Sequence, residues 1–345
     1  MTDEKELKFS VVIPVYNMEK TIGDTIASVL NQTYQNFEII VQDNNSVDKT
    51  AEVIRSFFDP RIKYFKNDTN IGYGKNLIAG WKNCSGDVIY YLCADDVLSK
   101  NALLETNMAF QKDEGVGAVT RPYFWFHEDI NKPVRVTPML NRKKDEIVGI
   151  KNFSKAVIVI HNEVLGQLSG LAFRKKYLKE SYFTTCDEWI PHGYPFLHIF
   201  KNYPVVFLKN CQVAVRIGHN NIRKKGNSVY AISPTIRWIS MINEILTEKE
   251  HQRFKKYYIN NVIAVNFIGL VQIKCYASFS CLLREIWYLL KYRWLNILDL
   301  KFWFFSLGCI IVPSSLLAKM VDWYKNKINS KSMRKLYFEY DTSKI

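Results

Sequence analysis

The sequence predicts an α/β domain on a mostly parallel sheet, continued by a region of helices. Two observations carry this. From Phe9 to Ala94, short apolar runs alternate with stretches of helical period, and beyond about residue 236 helical patterning takes over.

Phe9 to Val15 reads as a buried strand, with Pro14 near its end and Tyr16-Asn17 leading into a loop. Ile22, Ile26, Val29 and Leu30 then repeat on one helical face. Phe37 to Val41 is the second strand, Ala51 to Phe58 the second helix, Ile62 to Phe65 the third strand, and Gly72 to Asn83 the third helix. The run 88–94 closes the series. Strands separated by helices of this length pair in parallel through right-handed crossovers. Two of these strands end in acids: Asp43 after the second, and Asp95-Asp96 after the run Val88 to Ala94. Buried parallel strands present such residues to the crevice at their carboxyl ends, where open α/β sheets bind ligands. A solvated loop is the ordinary reading of an exposed acidic pair, and the strand directly before this one weighs against it.

Five segments in order carry a family likeness: Val11 to Asn17; Asp43-Asn44-Asn45-Ser46-Val47-Asp48-Lys49-Thr50; Asn70-Ile71-Gly72 with Lys75-Asn76; Gly86-Asp87-Val88; and Ala94-Asp95-Asp96. In order and spacing they resemble the nucleotide-binding half of family-2 inverting glycosyltransferases of GT-A fold, the type that serves bacterial polysaccharide, O-antigen and capsule synthesis. The likeness covers about residues 8–120 and extends more loosely to about 220. It implies a nucleotide-diphospho-sugar donor, UDP-linked by preference, held by Pro14, Tyr16, Asn17, Asp43 and Asn45. Asp43 can accept from a base N–H, and Asp95 from the ribose hydroxyls. Asp96 is then the residue for Mg²⁺ or Mn²⁺, because a hard cation bridging phosphates uses one or two carboxylates and neutralises charge on the departing diphosphate.

Two positions depart from the pattern: Cys93 stands where many relatives have an acid, and Gln42-Asp43-Asn44-Asn45 replaces Asp-Asp-Gly-Ser. Lys75 occupies a place where relatives often have Arg near the pyrophosphate. Gly72 and Gly74 either admit the ligand backbone or only supply turn dihedrals. Farther on, Phe124-Trp125-Phe126 and Val134-Arg135-Val136 read as a small hairpin, and Gln167 to Arg174 resembles the acceptor-side segment. An inverting transferase needs a carboxylate that takes the acceptor's proton. The likeness places it at Asp187, with Glu188 beside it and His192 and His198 as rivals. Arg216 and His219, after the strand-like Gln212 to Val215, match a loop that folds over the nucleotide in relatives.

The chain of 345 residues is 48% hydrophobic and 14% aromatic, which excludes disorder and exceeds one minimal domain. The expected division is a catalytic region 1–235, split into 8–120 and 121–235, and a helical region 236–345. Seven cysteines show no Cys-x-x-Cys pair and read as core thiols in a reducing compartment, and the polar N-terminus lacks a signal-peptide pattern. The formal charge of +14 calls for an anionic partner. Its basic residues lie in short, dispersed clusters with no nucleic-acid-binding motif, which favours an anionic membrane surface over nucleic acid.

Phe302 to Ala318 carries no charge over 17 residues but contains Pro313, so an interfacial or re-entrant helix pair flanked by Lys301 and Lys319 is preferred to a single span. A chain cut near residue 285 is expected to keep a donor-binding core. The resulting expectation is a cytoplasmic enzyme, peripheral on the inner face of the cell membrane, moving one sugar to a glycan or polyprenyl-diphosphate-linked acceptor. The alternatives are a nucleotidyltransferase, for which Val15 to Lys20 lacks the basic triphosphate loop, and a non-catalytic sugar-nucleotide-binding protein.

Overall fold

The computed structural model describes residues 6–137, 143–162, 167–183, 192–217, 230–317, 319–320, 336 and 338–340. Its strands are β1 (Phe9–Val15), β2 (Phe37–Asp43), β3 (Ile62–Lys66), β4 (Val88–Tyr91), β5 (Val97–Leu98), β6 (Ala118–Thr120), β7 (Tyr123–Phe126), β8 (Arg135–Val136), β9 (Glu146–Val148), β10 (Leu171–Arg174), β11 (Val205–Phe207) and β12 (Val213–Arg216). The helices are α1 (Ile22–Leu30), α2 (Thr50–Arg55), α3 (Tyr73–Lys82), α4 (Ala102–Gln111), α5 (Phe153–Asn162), α6 (Gly193–Asn202), α7 (Pro234–Ile245), α8 (Gln252–Tyr258), α9 (Ile268–Tyr276), α10 (Phe279–Tyr292) and α11 (Leu300–Ile311).

Packing divides the chain into two units whose borders differ from a cut at 235. One contains residues 1–149, 165–219 and 332–345; the other contains 150–164 and 220–331. Three segments therefore change sides relative to the expected division: 150–164 and 220–235 join the helical unit, and 332–345 joins the other. Helix α5 joins the helical unit, where Phe153 meets Tyr257 edge-on at 5.9 Å and lies under Arg253 at 4.1 Å. Residues 336–340 return to the sheet-bearing unit.

In that unit an eight-stranded sheet runs β3-β2-β1-β4-β10-β6-β11-β9. The first four strands are parallel, as the alternating pattern predicts, and β10 then pairs antiparallel with β4. Strand β1 pairs with β2 along its whole length but with β4 only from Phe9 to Val12, so it runs on past that ladder to Val15. Ile22, Ile26 and Val29 of α1 are fully buried in the core with Val11, Ile13 and Ile39, which is the stripe their spacing predicts. Helix α3 lies so close to the sheet that a Cβ on Gly80 would sit 2.6 Å from Val12 Cγ1. A second sheet runs β5-β12-β7-β8; β7 and β8 are the expected hairpin, closed by Val134 N–H donating to Trp125 O at 2.7 Å.

In the helical unit, α10 is opened by Ser278, whose hydroxyl accepts from Cys281 N–H. Asn296 is fully buried and donates to Ala264 O at 2.8 Å and Leu289 O at 2.9 Å, tying the turn after α10 to the end of the helical stretch 252–263, before α9. Helix α11 ends at Ile311, two residues before Pro313, as a residue without a backbone N–H requires. Among the described residues no single helix is long and apolar enough to cross a membrane; a pair bent by 58°, Lys249–Ile263 with Ile268–Tyr276, passes by length and composition together.

Candidate active site

The acids predicted from strand ends lie at or just past the carboxyl ends of two parallel strands, β2 and β4, that flank β1. Asp43 is the last residue of β2, paired with Val15. It is fully buried: Oδ1 accepts from Ser46 N–H at 2.8 Å and Ser46 Oγ at 2.6 Å, and Oδ2 accepts from Tyr64 Oη at 2.6 Å. Its role toward a base is thus confined to whatever acceptor capacity these bonds leave. Asn17 and Asn45 hold left-handed backbone, φ 54° and 66°, which Asn tolerates better than other side chains. Asn17 N–H donates to Ser46 Oγ and Asn17 Oδ1 accepts from Val47 N–H, both at 2.9 Å, so the loops after β1 and β2 are bonded together. Pro14 is buried in β1, Tyr16 is exposed at the rim, and Lys75 is exposed on the first turn of α3. Gly72 has φ 86°, which assigns it to turn geometry, while Gly74 is an ordinary helical residue.

Asp95 and Asp96 lie in the loop between β4 and β5. Helix α1 supports this loop from below: Thr21 Oγ1 donates to Ala94 O at 3.0 Å and Thr25 Oγ1 to Asp96 O at 2.9 Å. Asp96 is 1% exposed, with Oδ1 accepting from Arg216 N–H at 2.9 Å and Oδ2 from Ser169 Oγ at 2.5 Å and Gln167 Nε2 at 3.1 Å. Burial, and then the neighbouring Asp95, push its carboxyl well above the usual range, against the pull of those three hydrogen bonds. A second negative charge here is costly unless a cation shares the site.

Ligand atoms of Cys93, Asp95 and Asp96 all fall within 4.8 Å of one another. The two carboxylates are hard oxygen donors of the kind that suit Mg²⁺ or Mn²⁺. The Cys93 thiol, pushed up by burial and by both acids, is 3.8 Å from Tyr73 Oη.

Arg216 is bound up in the loop itself. Its Nη2 donates to Asp24 Oδ2 at 2.6 Å, its Nε to the Asp95 carbonyl at 3.2 Å, and its guanidinium lies 4.7 Å from the Phe126 ring centre. It therefore positions Asp95, and any diphosphate would have to compete with Asp24 for it. Asp187, Glu188 and His219 lie outside the described residues. The rival His198 stacks on Tyr182 at 4.2 Å, where burial pulls its imidazole down to about 4. Thr21, Thr25, Gln167 and Ser169 are the residues that sequence reasoning passed over. Only the last two carried a signal, lying in the segment 167–174, but their bonds to Asp96 depend on β10 pairing with β4.

A parallel sheet with acids gathered at its carboxyl edge, extended by antiparallel β10 and a small second sheet, defines the GT-A class of nucleotide-sugar-binding folds. Solved structures agree. TarS of S. aureus, crystallised with UDP-GlcNAc, superposes with a TM-score of 0.60 at 16% identity, covering 97% of this chain and 94% of that one. The mannosyltransferase PcManGT of Pyrobaculum calidifontis, in complex with GDP-Man and Mn²⁺, gives 0.55 at 12% identity over 94% and 88%.

Residues 10–181 match the model of glycosyl transferase family 2, and the chain belongs to that family. Among curated relatives, the amylovoran biosynthesis glycosyltransferase AmsB of Erwinia amylovora is 25% identical over 73% of this chain and 83% of its own length. The β-1,3-glucosyltransferase WfgD of Escherichia coli, which acts from UDP-Glc on α-D-GlcNAc-diphosphoundecaprenol, is 37% identical over 29% of this chain. An uncharacterised Haemophilus influenzae glycosyltransferase is 38% identical over 27% of it. The chain spans only 43% and 38% of the lengths of these last two.

Proposed function

We propose that this protein is an inverting glycosyltransferase that moves one sugar from a nucleotide diphosphate, UDP by preference, to a glycan or polyprenyl-diphosphate-linked acceptor in cell-surface polysaccharide synthesis. The observation that carries this is the proximity of the Asp95 and Asp96 carboxylates in the loop that follows β4, within a family-2 domain. Asp95 and Asp96 would hold Mg²⁺ or Mn²⁺, whose charge would offset that of the donor diphosphate. The Asp96 carboxylate is fixed by Ser169 and the Arg216 N–H, so it does not have to reorganise when the donor arrives, and Arg216 holds Asp95 at its backbone carbonyl. Asp43, Asn17, Asn45 and Lys75 would line the nucleotide. Asp187, or Glu188 beside it, would take the acceptor's proton as the hydroxyl attacks from the face opposite the diphosphate.

The membrane part of the reading rests on the helical unit. Phe279, Leu283 and Trp287 of α10 are each about half exposed, and Leu300, Phe304, Leu307 and Ile311 of α11 form a second exposed stripe. Both repeats have helical period, so their outward faces are apolar, the reverse of a helix facing water. Lys291 lies 4.8 Å from the Trp287 ring centre, and Trp294 and Lys301 flank the turn between the helices. Aromatic and cationic residues around an apolar face suit the headgroup layer of an anionic leaflet, here placed at the inner face of the cell membrane.

The test is a panel of nucleotide-sugars with Mg²⁺ or Mn²⁺, read first by thermal shift and then by transfer to a lipid-linked acceptor. Stabilisation by a donor without transfer to any acceptor points to a binding protein, and stabilisation by nucleoside triphosphates alone points to a nucleotidyltransferase. In the active protein, Asp187→Asn is expected to lower kcat by ~10²-fold or more while donor affinity stays within a few-fold.

A further inference from the structure

The segment 336–340 returns to the sheet-bearing unit and docks beside the acidic loop. Leu336, Phe338 and Tyr340 alternate along it, and all three pack on the core of the second sheet, formed by Val97, Phe124, Phe126, Val136, Cys211 and Ala214. Phe338 meets Phe124 edge-on at 5.0 Å. Glu339, out of phase with these three, ion-pairs with Lys100 through its carboxylate. Its backbone makes two further bonds, N–H to Ser99 Oγ at 3.2 Å and carbonyl from Lys100 N–H at 3.1 Å. Three alternate residues thus pack on one core, and Glu339 is bonded to residues that directly follow β5, an edge strand of its sheet.

β5 begins one residue after Asp96, and Ser99 and Lys100 close the stretch that carries the acids. Ser99 is held on other sides too, its N–H donating to Gln212 O at 3.0 Å and its carbonyl accepting from Gln32 Nε2 at 2.9 Å. At the far end of the segment, the Tyr340 hydroxyl is buried without a hydrogen-bond partner among the described residues. Asp24 and Arg216 lie within electrostatic reach of it. Those two residues form the pair that holds the Asp95 carbonyl. The segment thus touches the acidic loop from its trailing end and reaches the ion pair that fixes its middle.

We propose that residues 336–340 are a positioning element of the donor site, clamping the loop 93–100 so that Asp95 and Asp96 are held in place for metal and donor. The proposal deepens the glycosyltransferase reading and rests on it for the ligand. The physical reason is loop entropy: two acids on a short connection between β4 and β5 stay apart from their ligand geometry for part of the time unless the far end of that connection is fixed. Ser99 and Glu339, 240 residues apart in sequence, supply that fixed end.

The experiment uses the full chain with Phe338→Ala and the milder Phe338→Leu, well below their melting temperatures. Backbone amide exchange is followed at residues 95–100 and 213–216, with β1–β3 as internal reference, alongside affinity for UDP with Mn²⁺. Phe338→Ala is expected to speed exchange at 95–100 by ~10-fold or more, to leave β1–β3 unchanged and to weaken UDP–Mn²⁺ binding at least 5-fold, with Phe338→Leu between it and the parent. Unchanged exchange at 95–100 overturns the clamp. Faster exchange with unaltered affinity overturns the positioning role and leaves packing alone. A parent protein that binds no UDP with Mn²⁺ refutes the ligand reading, while the exchange arm still decides whether the clamp exists. If Phe338→Ala does not fold, Phe338→Leu decides between the same outcomes.

Discussion

At the scale of single residues, Asp96 is buried with both carboxylate oxygens hydrogen-bonded, and burial beside Asp95 makes its charge costly. Asp96→Asn keeps an acceptor for Arg216 N–H and a group for Ser169 Oγ, so the loop is expected to stay folded. Metal-dependent donor binding should fall ~10-fold or more, measured by titrating Mn²⁺ in the presence of UDP. Full affinity in the variant, or full activity in excess chelator, would remove the metal from Asp96.

Two groups contribute to how the fold responds to acid, buried Glu38 and half-buried His198. Glu38 is pushed up by burial, but bonds from Lys63, Ser10 and Ser85 outweigh this and hold its carboxyl at about 2. His198 is pulled down to about 4 by burial and by Lys201. For both groups the folded value lies below the unfolded one, so the unfolded chain binds more protons on acidification and stability rises with pH. His198 contributes stability above about 6.5 that is lost as pH falls through 4, and Glu38 contributes stability above about 4.5 that is lost toward 2. Denaturant midpoints should therefore drop in two stages. Glu38→Gln should flatten the lower stage, and a midpoint constant from pH 6.5 to 4 would exclude the His198 contribution.

Among elements, α3 shows how tightly the site's back wall is built. Gly80 leaves no room for a Cβ against Val12, which is itself fully buried in β1. Ala at this position would gain ~1 kcal/mol of helix propensity, while overpacking against a central strand costs about 1–3 kcal/mol. Gly80→Ala is accordingly expected to lower Tm by a few degrees. An unchanged or raised Tm would mean that α3 can shift away from β1. The same helix is bonded to the sheet by Asn76, whose Nδ2 donates to Gln42 O at 2.9 Å and whose Oδ1 accepts from Asn67 Nδ2 at 2.8 Å. Asn44, Asn67 and Asn70 thus brace the β2 and β3 exits through bonds among their side chains.

For the whole molecule, the packing of 336–340 changes what truncation should do. A chain cut near residue 285 loses Leu336, Phe338 and Tyr340 from the second sheet's core along with the helices, so such a cut is expected to weaken donor binding as well as remove the helices. The membrane reading is better tested by substitution in the intact chain. The parent is expected to sediment with vesicles containing anionic lipid and to be released only in part by high salt, since screening weakens charge attraction and leaves apolar insertion intact. Leu300→Ser with Phe304→Ser, both well exposed on α11, should abolish sedimentation without lowering Tm. A parent that remains in the supernatant with every vesicle would show that these faces meet something other than lipid.

The sequence by itself determined the four parallel strands, the helices between them and the acids at their ends. Each of these is local: a period of two or 3.6, a glycine or proline at a boundary, and a polar residue where an apolar run stops. It also carried the family, because five short motifs keep their order whatever lies between them. Only the tertiary structure decided which groups hold the acids. Ser169 reaches Asp96 across an antiparallel pairing of β10 with β4, Arg216 arrives from the second sheet, and Phe338 comes back from beyond the helical unit. Contacts between residues 73 to 240 positions apart leave no periodic trace in a single sequence. The border of the catalytic unit was hidden for the same reason, since α5 and the segment 336–340 each pack with the unit on the other side of a linear cut.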